Sequence, residues 1–344
     1  MWKYVLKRIG LALLTAFIIL SLTFILIKLL PAQRFIGTTA QKSAYYNHEV
    51  TMGYMYKSET ALEGVEYVDK VIFDDGSVVY YYKTPVLQQY VSWIGNIITK
   101  WDWGRSVKIQ PNVDVTVIIG NRLATSMKIN IISVLLSVPL GIALGIWAAL
   151  KKNKLIDHVI STVVMILIAL PGFVLITFLL LAFCYNGSLP TQWPVPTDPL
   201  SKRAAGYVLP VLCLSLGSIC GYCRFVRAEL CEVMESDYLL LARTKGLTRG
   251  QAIMRHALRN AMVPIFPSIL SEFLGILGGS MILERLYGIP GLGDLFVRSM
   301  NSASPDYNVL FVDMAIFTTL GLLAGVLLDM SYGFIDPRIR MGAR

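Results

Sequence analysis

The chain is patterned by long apolar runs separated by short polar stretches. The runs fall at about 9–30, 126–150, 159–183, 207–225, 263–283 and 309–332. A helix of about 20 apolar residues crosses the hydrocarbon core of a bilayer, and each run approaches or exceeds that length. The first follows Lys3, Lys7 and Arg8, the charge layout of a signal peptide. It is longer than one and no small-residue cleavage site follows, so it reads as a retained first helix. Alternating six spans from an inside N-terminus puts three positive clusters on one side: Lys151, Lys152 and Lys154; Arg224 to Arg259; and Arg338 to Arg344. Cytoplasmic loops collect Lys and Arg, so the charges agree with the span count and place both termini in the cytoplasm. The expected fold is an all-α polytopic membrane protein of six transmembrane helices.

Two stretches depart from this pattern. Residues 31–121 are polar, aromatic and interrupted. Within them the β-rich runs 67–73 and 78–82 flank Asp74-Asp75-Gly76-Ser77, a hairpin signal. An amphipathic helix is expected over 86–98, followed by Trp101-Asp102-Trp103-Gly104 as an interfacial aromatic anchor. This is a small extracytoplasmic α+β insertion. The chain thus divides into an N-terminal span (1–30), the insertion (31–121) and a five-helix core (122–344). Within the core, Gly141 and Gly145 form a G-x-x-x-G, a spacing that permits close helix packing. Pro171-Gly172 predicts a kink in the third span.

The second departure is basic and lies between two spans, within 228–262. Gly246 follows a helical segment, where a left-handed backbone suits glycine. Thr248 with Gln251 three residues on forms a capping box that starts a second helix. The pattern predicts helix, sharp glycine turn, helix.

Composition narrows the class further. Of 344 residues 55% are hydrophobic and 15% charged, against about 25% charged in soluble domains. Mean hydropathy is +0.60. The net charge of +9 is topological, and no basic face with exposed aromatics points to nucleic acid. Cys184, Cys213, Cys220, Cys223 and Cys231 all lie in or beside apolar runs, which argues against a disulfide framework. Cys220 and Cys223 lack the second pair a zinc site requires and read as small residues packed in a helix.

No G-x-x-x-x-G-K-[ST] occurs, so no phosphate-cradling loop is present, and no H-E-x-x-H or G-x-S-x-G appears. His48, His158 and His256 are isolated in sequence. Charged residues inside the spans include Lys28, Glu272, Asp313 and Asp329, and intramembrane carboxylates are functional candidates by default. Asp313 and Asp329 fall near span ends, within reach of the interface; Glu272 lies near mid-span. A membrane protein without energy chemistry but with a cytoplasmic basic platform points to energy supplied by a partner. An amphipathic helix seated in a partner's groove is a suitable coupling device. Leu240, Leu241, Leu247, Ile253 and Met254 are candidate apolar anchors, and Arg243, Lys245, Arg249 and Arg255 candidate steering charges.

Ala242-Arg243-Thr244-Lys245-Gly246-Leu247, followed by Arg255-His256-Ala257-Leu258-Arg259-Asn260-Ala261 and Pro264, resembles the coupling loop of ABC-importer permeases, in particular the dipeptide/oligopeptide and nickel subgroup. Lys7-Arg8-Ile9, Trp103-Gly104-Arg105-Ser106, Tyr287-Gly288-Ile289-Pro290-Gly291-Leu292-Gly293 and Ile335-Asp336-Pro337-Arg338 match in the same order. The likeness is to the first of two permease subunits. Two departures stand out: Leu240 and Leu241 replace the Glu-Ala of the broader loop pattern, and the region from about 35 to 82 is longer than in short members.

The resemblance implies an importer of two permeases, two P-loop ATPases and an extracytoplasmic binding protein, in a bacterial plasma membrane, with peptide as cargo. It implies that this chain binds no cofactor and no metal, ATP and Mg being held by the ATPases. Leu241, Ala242, Arg243, Lys245, Gly246, Leu247, Arg249, Arg255 and His256 would form the ATPase-coupling loop. Glu272, Gly275, Gly278 and Gly279 would lie on the translocation path, and Glu284, Gly288, Pro290, Gly291 and Gly293 would form an outer gate. Nickel import is the nearest alternative, disfavoured by the scarcity of His. A stand-alone secondary transporter or channel, active without ATP, and a membrane sensor are the rivals from other classes.

Overall fold

The computed structural model describes residues 2–275, 279–301, 303 and 305–335. Gly278 and the closing Asp336-Pro337-Arg338 lie outside them. The helices are α1 (Trp2–Leu29), α2 (Thr39–Thr51), α3 (Val86–Lys100), α4 (Val115–Leu150), α5 (Leu155–Ala169), α6 (Gly172–Leu179), α7 (Leu200–Met234), α8 (Asp237–Thr244), α9 (Arg249–Ala252), α10 (Leu258–Gly275), α11 (Met281–Tyr287), α12 (Leu292–Ser299) and α13 (Tyr307–Ile335). Strands β1 (Met55–Ser58), β2 (Asp69–Ile72) and β3 (Val78–Lys83) form one sheet. π-Helical turns occupy Leu180–Tyr185 and Ile253–Ala257.

Among the described residues four helices are long and apolar enough to cross a bilayer: α1, α4, α7 and α13. The third expected span is not a kinked helix but two helices meeting at 104°. Proline disfavours the α region for the residue before it, and Leu170 turns extended (φ −73°, ψ 129°) before Pro171. The bent pair raises the count to five at most. The expected fifth span, 263–283, is not one helix. α10 ends at Gly275 and carries Arg259, Asn260, Pro264, Pro267 and Glu272, while Ser280 caps a separate α11.

The described residues pack as two units. One comprises those of Met1–Ala124 and Gly291–Leu322. Its sheet has the order β1-β3-β2, antiparallel throughout, with Val71 opposite Val79 and Tyr56 opposite Tyr82. The expected hairpin is therefore present, turning at Gly76 (φ +82°). The strand β1 and helix α2 were not legible in advance; α2 opens with a capping box in which Thr38 and Gln41 bond reciprocally. Phe35, Tyr45, Tyr46, Met55, Val71, Tyr81 and Val107 form one core. A second core joins Phe24 of α1 and Trp93 of α3 to Leu292, Leu295, Val309, Phe311 and Val312. Fully buried Asp306 ties the unit together. Its Oδ2 accepts from Ser106 Oγ at 2.7 Å and from the backbone N–H of Val107, Lys108 and Ile109 at 2.9–3.1 Å.

The other unit comprises the described residues of Thr125–Pro290 and Leu323–Arg344. Here α4 meets α7 at close range. A Cβ on Gly141 would stand 2.6 Å from the Tyr222 Cβ, and one on Gly145 would stand 2.7 Å from the Cys223 carbonyl oxygen. The G-x-x-x-G spacing thus serves tight packing. Above it, Ser133 Oγ bonds the Val211 carbonyl and Ser215 Oγ bonds the Ser133 carbonyl, at 3.4 and 3.2 Å. The five cysteine thiols are free and buried, Cys220 and Cys223 packing with Val164.

Candidate functional site

The basic stretch folds as its pattern requires. α8 ends at Thr244, Lys245 caps it, and Gly246 adopts φ +95°. Thr248 then caps α9: its Oγ1 accepts from the Gln251 N–H at 3.4 Å, while Gln251 Oε1 accepts from the Thr248 N–H at 3.1 Å. A Cβ on Gly246 would meet open space. Glycine is required there by backbone conformation alone.

One face of this helix–turn–helix is seated. Leu239, Ala252, Ile253, Ala257 and Ala261 are buried with Ala149, Leu230 and Cys231, and Leu247 packs half-buried against them. Ile253 therefore serves the protein's own core, with Leu247 half-buried beside it. The other face is open. Leu240, Leu241 and Met254 are 60%, 56% and 63% exposed. Arg243, Lys245, Arg249, Arg255 and His256 stand exposed around them, with Ala242 half-buried. The π-helical turn over Ile253–Ala257 swings Arg255 and His256 outward while Ile253 and Ala257 face in.

Two ion pairs brace the platform, and neither was singled out from sequence. Asp157, 1% exposed, accepts from Arg227 Nε at 2.5 Å and Nη2 at 2.7 Å, and from the Asn153 N–H at 2.9 Å. This bidentate pair fixes α5 to α7 just before the platform. Lys152 pairs with Glu235 at the far end of α7. The signal was a lone acid entering an apolar run after a lysine cluster.

The predicted path residues separate into distinct environments. Glu272 on α10 is half-buried and accepts from Ser137 Oγ at 3.4 Å. Gly275 is open to its surroundings. Gly279 (φ +65°) lies where a Cβ would come within 2.7 Å of Glu284 Oε1. Glu284, 3% exposed, accepts from Ser126 Oγ at 2.7 Å and from the Ser280 N–H at 3.3 Å. The outer segment is divided. Glu284, Gly288 and Pro290 belong to one unit and Gly291 and Gly293 to the other. Gly288 (φ +70°) ends α11, and Gly291 caps α12. Tyr287 is fully buried, with its hydroxyl on the Pro190 carbonyl at 2.9 Å. A polar stripe on α4 was missed: Ser126, Asn130, Ser133 and Ser137 recur at i, i+4, i+7 and i+11, one helical face in an apolar run.

Asp313 does not reach an interface. It is fully buried beside Val309 and Val312, because its helix packs that face into the core. Lys28 places its ammonium 4.3 Å from the Tyr54 ring centroid, a cation–π contact. Glu49 nearby is 2% exposed, and burial pushes its carboxyl above the usual range.

With four helices long and apolar enough to cross a bilayer among its described residues, the chain is a multi-pass membrane protein. Comparison with known proteins places it further. Residues 141–341 match the family described as the binding-protein-dependent transport system inner membrane component. The chain is 29% identical over 343 residues to the dipeptide transport system permease protein DppB of Bacillus subtilis, covering 99% of each. It is 30% identical to DppB of Lactococcus lactis subsp. cremoris, covering 99% of this chain and 100% of that one. The oligopeptide transport system permease protein OppB of Haemophilus influenzae is likewise 30% identical at the same coverage. The chain belongs to the binding-protein-dependent transport permeases, the membrane components of ABC transporters.

Proposed function

We propose that this chain is one permease subunit of an ATP-driven importer of dipeptides or oligopeptides. The observation that carries the coupling part is the open face of the α8–α9 platform. Three large apolar side chains, Leu240, Leu241 and Met254, stand ringed by Arg243, Lys245, Arg249 and Arg255. Exposed apolar anchors rimmed by charge mark a docking surface. The names of relatives aligned along nearly the whole chain support peptide as cargo.

In this reading the platform docks a P-loop ATPase, and a second ATPase docks the partner permease. ATP and Mg are held by those subunits, and this chain carries no ATPase site of its own. Closure of the ATPases moves the platform, and α7, stapled to α5 by Asp157–Arg227, carries the motion into the membrane. The chain crosses a bacterial plasma membrane six times with both termini in the cytoplasm, α10 serving as a crossing despite its prolines. An extracytoplasmic binding protein delivers the peptide to the insertion and the outer segment. The path between the two permeases includes the α4 serine stripe and Glu272.

The test is uptake of labelled peptide into proteoliposomes holding this chain, its partner permease, the ATPases and the binding protein. Uptake that requires ATP and every component is expected. Uptake by the purified chain alone, without ATP, would overturn the proposal in favour of a secondary transporter or channel.

A further inference from the structure

Helix α3 (Val86–Lys100) has two faces with different partners. Toward the sheet and α2 it is polar: Gln89 Nε2 bonds the Thr84 carbonyl at 2.7 Å and Asn96 Nδ2 bonds the Met52 carbonyl at 2.8 Å. Along one flank it meets α1. Tyr90 Oη and Ser21 Oγ are hydrogen-bonded at 2.8 Å, and the Trp93 ring stacks on Phe24 with centroids 4.7 Å apart. Both α1 residues lie inside the segment Val5–Leu29, which is apolar and long enough to span a bilayer. Ser21 is about 12 Å along the helix axis from Leu29, at 1.5 Å per residue.

The next arc of α3, adjoining the flank on α1, is bare and apolar. Leu87, Val91 and Ile98 are 76%, 64% and 77% exposed. At i, i+4 and i+11 they share one helical face, with Gly95 between them. On α1, Leu22, Leu26 and Leu29 are likewise each more than half exposed. Both ends of α3 carry lysine. Lys83, just ahead of it, donates to the carbonyls of Lys28 and Leu30 at the end of α1. Lys100 closes the helix, followed by Trp101, which is 69% exposed.

We propose that α3 lies in the membrane interface, with Leu87, Val91 and Ile98 among the acyl chains of the leaflet at the C-terminal end of α1. The occupant of this face is phospholipid. An amphipathic helix with basic and aromatic residues at its ends sits at this depth, its apolar face a few ångströms into the acyl boundary. Its partners on α1 already lie within the hydrocarbon span, so the face cannot be in water unless α1 leaves the bilayer. The arc Leu87–Val91–Gly95–Ile98 offers a protein partner no hydrogen-bonding side chain, whereas exposed Lys100 and Trp101 at the end of the helix suit the lipid headgroup region. The extracytoplasmic insertion is thereby seated on the membrane, and its sheet is held at a fixed height above the bilayer. The inference rests on the membrane reading of α1 and not on the cargo.

The experiment uses the full chain with its five cysteines replaced, reconstituted in phosphatidylcholine/phosphatidylglycerol vesicles. Single variants Leu87→Cys, Val91→Cys, Ile98→Cys and, as a water-facing control, Glu63→Cys carry a nitroxide spin label. Collision with molecular oxygen, which partitions into lipid, is compared with collision with a water-soluble nickel chelate. The oxygen-to-chelate ratio is expected to be several-fold higher at positions 87, 91 and 98 than at 63. Ratios equal to that of the control would show a water-exposed helix and overturn the proposal. Low collision rates with both reagents would show that protein covers the face, and would overturn it too. Because the labelled variants risk misfolding, the unaltered chain is also cross-linked with a phospholipid bearing a diazirine in its acyl chain. Labelled peptides from 86–100 are expected; labelling of the spans without α3 would refute lipid contact. Peptide uptake enters neither measurement, so the result stands apart from the proposed cargo.

Discussion

Ser126 Oγ donates a 2.7 Å hydrogen bond to Glu284, whose carboxylate also accepts the Ser280 N–H at the start of α11. Buried carboxylates are costly unless their charge is met by hydrogen bonds. The serine on α4 and the cap of α11 thus hold Glu284, at the start of the predicted outer segment, to the core of its unit. Replacing Ser126 with Ala removes a bond to a charged acceptor, which is expected to cost about 1.5–3 kcal/mol. A lowered thermal midpoint of the purified protein checks this. An unchanged midpoint would show that the bond is not structural.

Gly246 holds φ +95° with open space where a side chain would stand. A β-branched residue there is strained by its backbone rather than by a clash, at about 1–3 kcal/mol. Gly246→Val is expected to leave membrane insertion intact and to reduce ATP-driven uptake by about five- to 150-fold, because each 1.4 kcal/mol at the coupling step is a factor of ten. Gly246→Asn, which tolerates the left-handed region better, should retain more uptake. Equal uptake in all three proteins would rule out the turn as a coupling element.

Leu240, Leu241 and Met254 project from the same platform. Changing all three to Ser is expected to abolish co-purification of the ATPase while the thermal midpoint stays within a few degrees of the wild type. Changing buried Ile253 to Ser should instead unfold the platform, visible as a large drop in that midpoint. Retained ATPase binding by the triple variant would relocate the docking surface.

The Asp157–Arg227 pair predicts a thermodynamic cycle. Asp157→Ala leaves Arg227 without its bidentate partner, at an expected cost of about 3 kcal/mol. That is the low end for a broken buried pair, since Arg227 keeps part of its hydration. The double variant with Arg227→Leu should recover part of the loss. Additive midpoints would show that the two side chains do not interact in the membrane.

Glu49 predicts a pH dependence of defined sign. Burial raises its carboxyl above 4.5, and the charge of Asp102 adds to this; Lys28 and His48 oppose it. A group whose pKa is higher folded than unfolded binds more protons in the native state, so stability falls as pH rises through the interval between the two values. The thermal midpoint should therefore drop as pH climbs from about 4.5 toward neutrality. Glu49→Gln should flatten that slope. A wild-type slope preserved in the variant would assign the effect elsewhere.

Much of this molecule was legible in its sequence because the signals are local. Gly246 needs a left-handed backbone and Thr248 a partner three residues on, and both follow from neighbouring residues alone. The hairpin around Gly76 and the amphipathic helix starting at Val86 obey the same kind of rule. The apolar runs identify a membrane protein because a bilayer sets a length that hydropathy measures directly. The break at Pro171 was visible as a position but not as a 104° bend, since the angle depends on what each half packs against. The run at 263–283 looked continuous by hydropathy, yet Ser280 begins a new helix there.

Only the tertiary structure decided which face of each element is used. Leu240 and Ile253 were equal candidates as docking anchors until packing on Ala149 and Leu230 claimed Ile253 for the core. Asp313, near a helix end, looked able to reach the interface, but its helix turns it fully inward. Asp157 meets Arg227 seventy residues away in sequence, and Asp306 meets the 106–109 loop across nearly two hundred. No local pattern encodes such pairs. Burial makes each carboxylate costly without its partner, and only the fold supplies that partner.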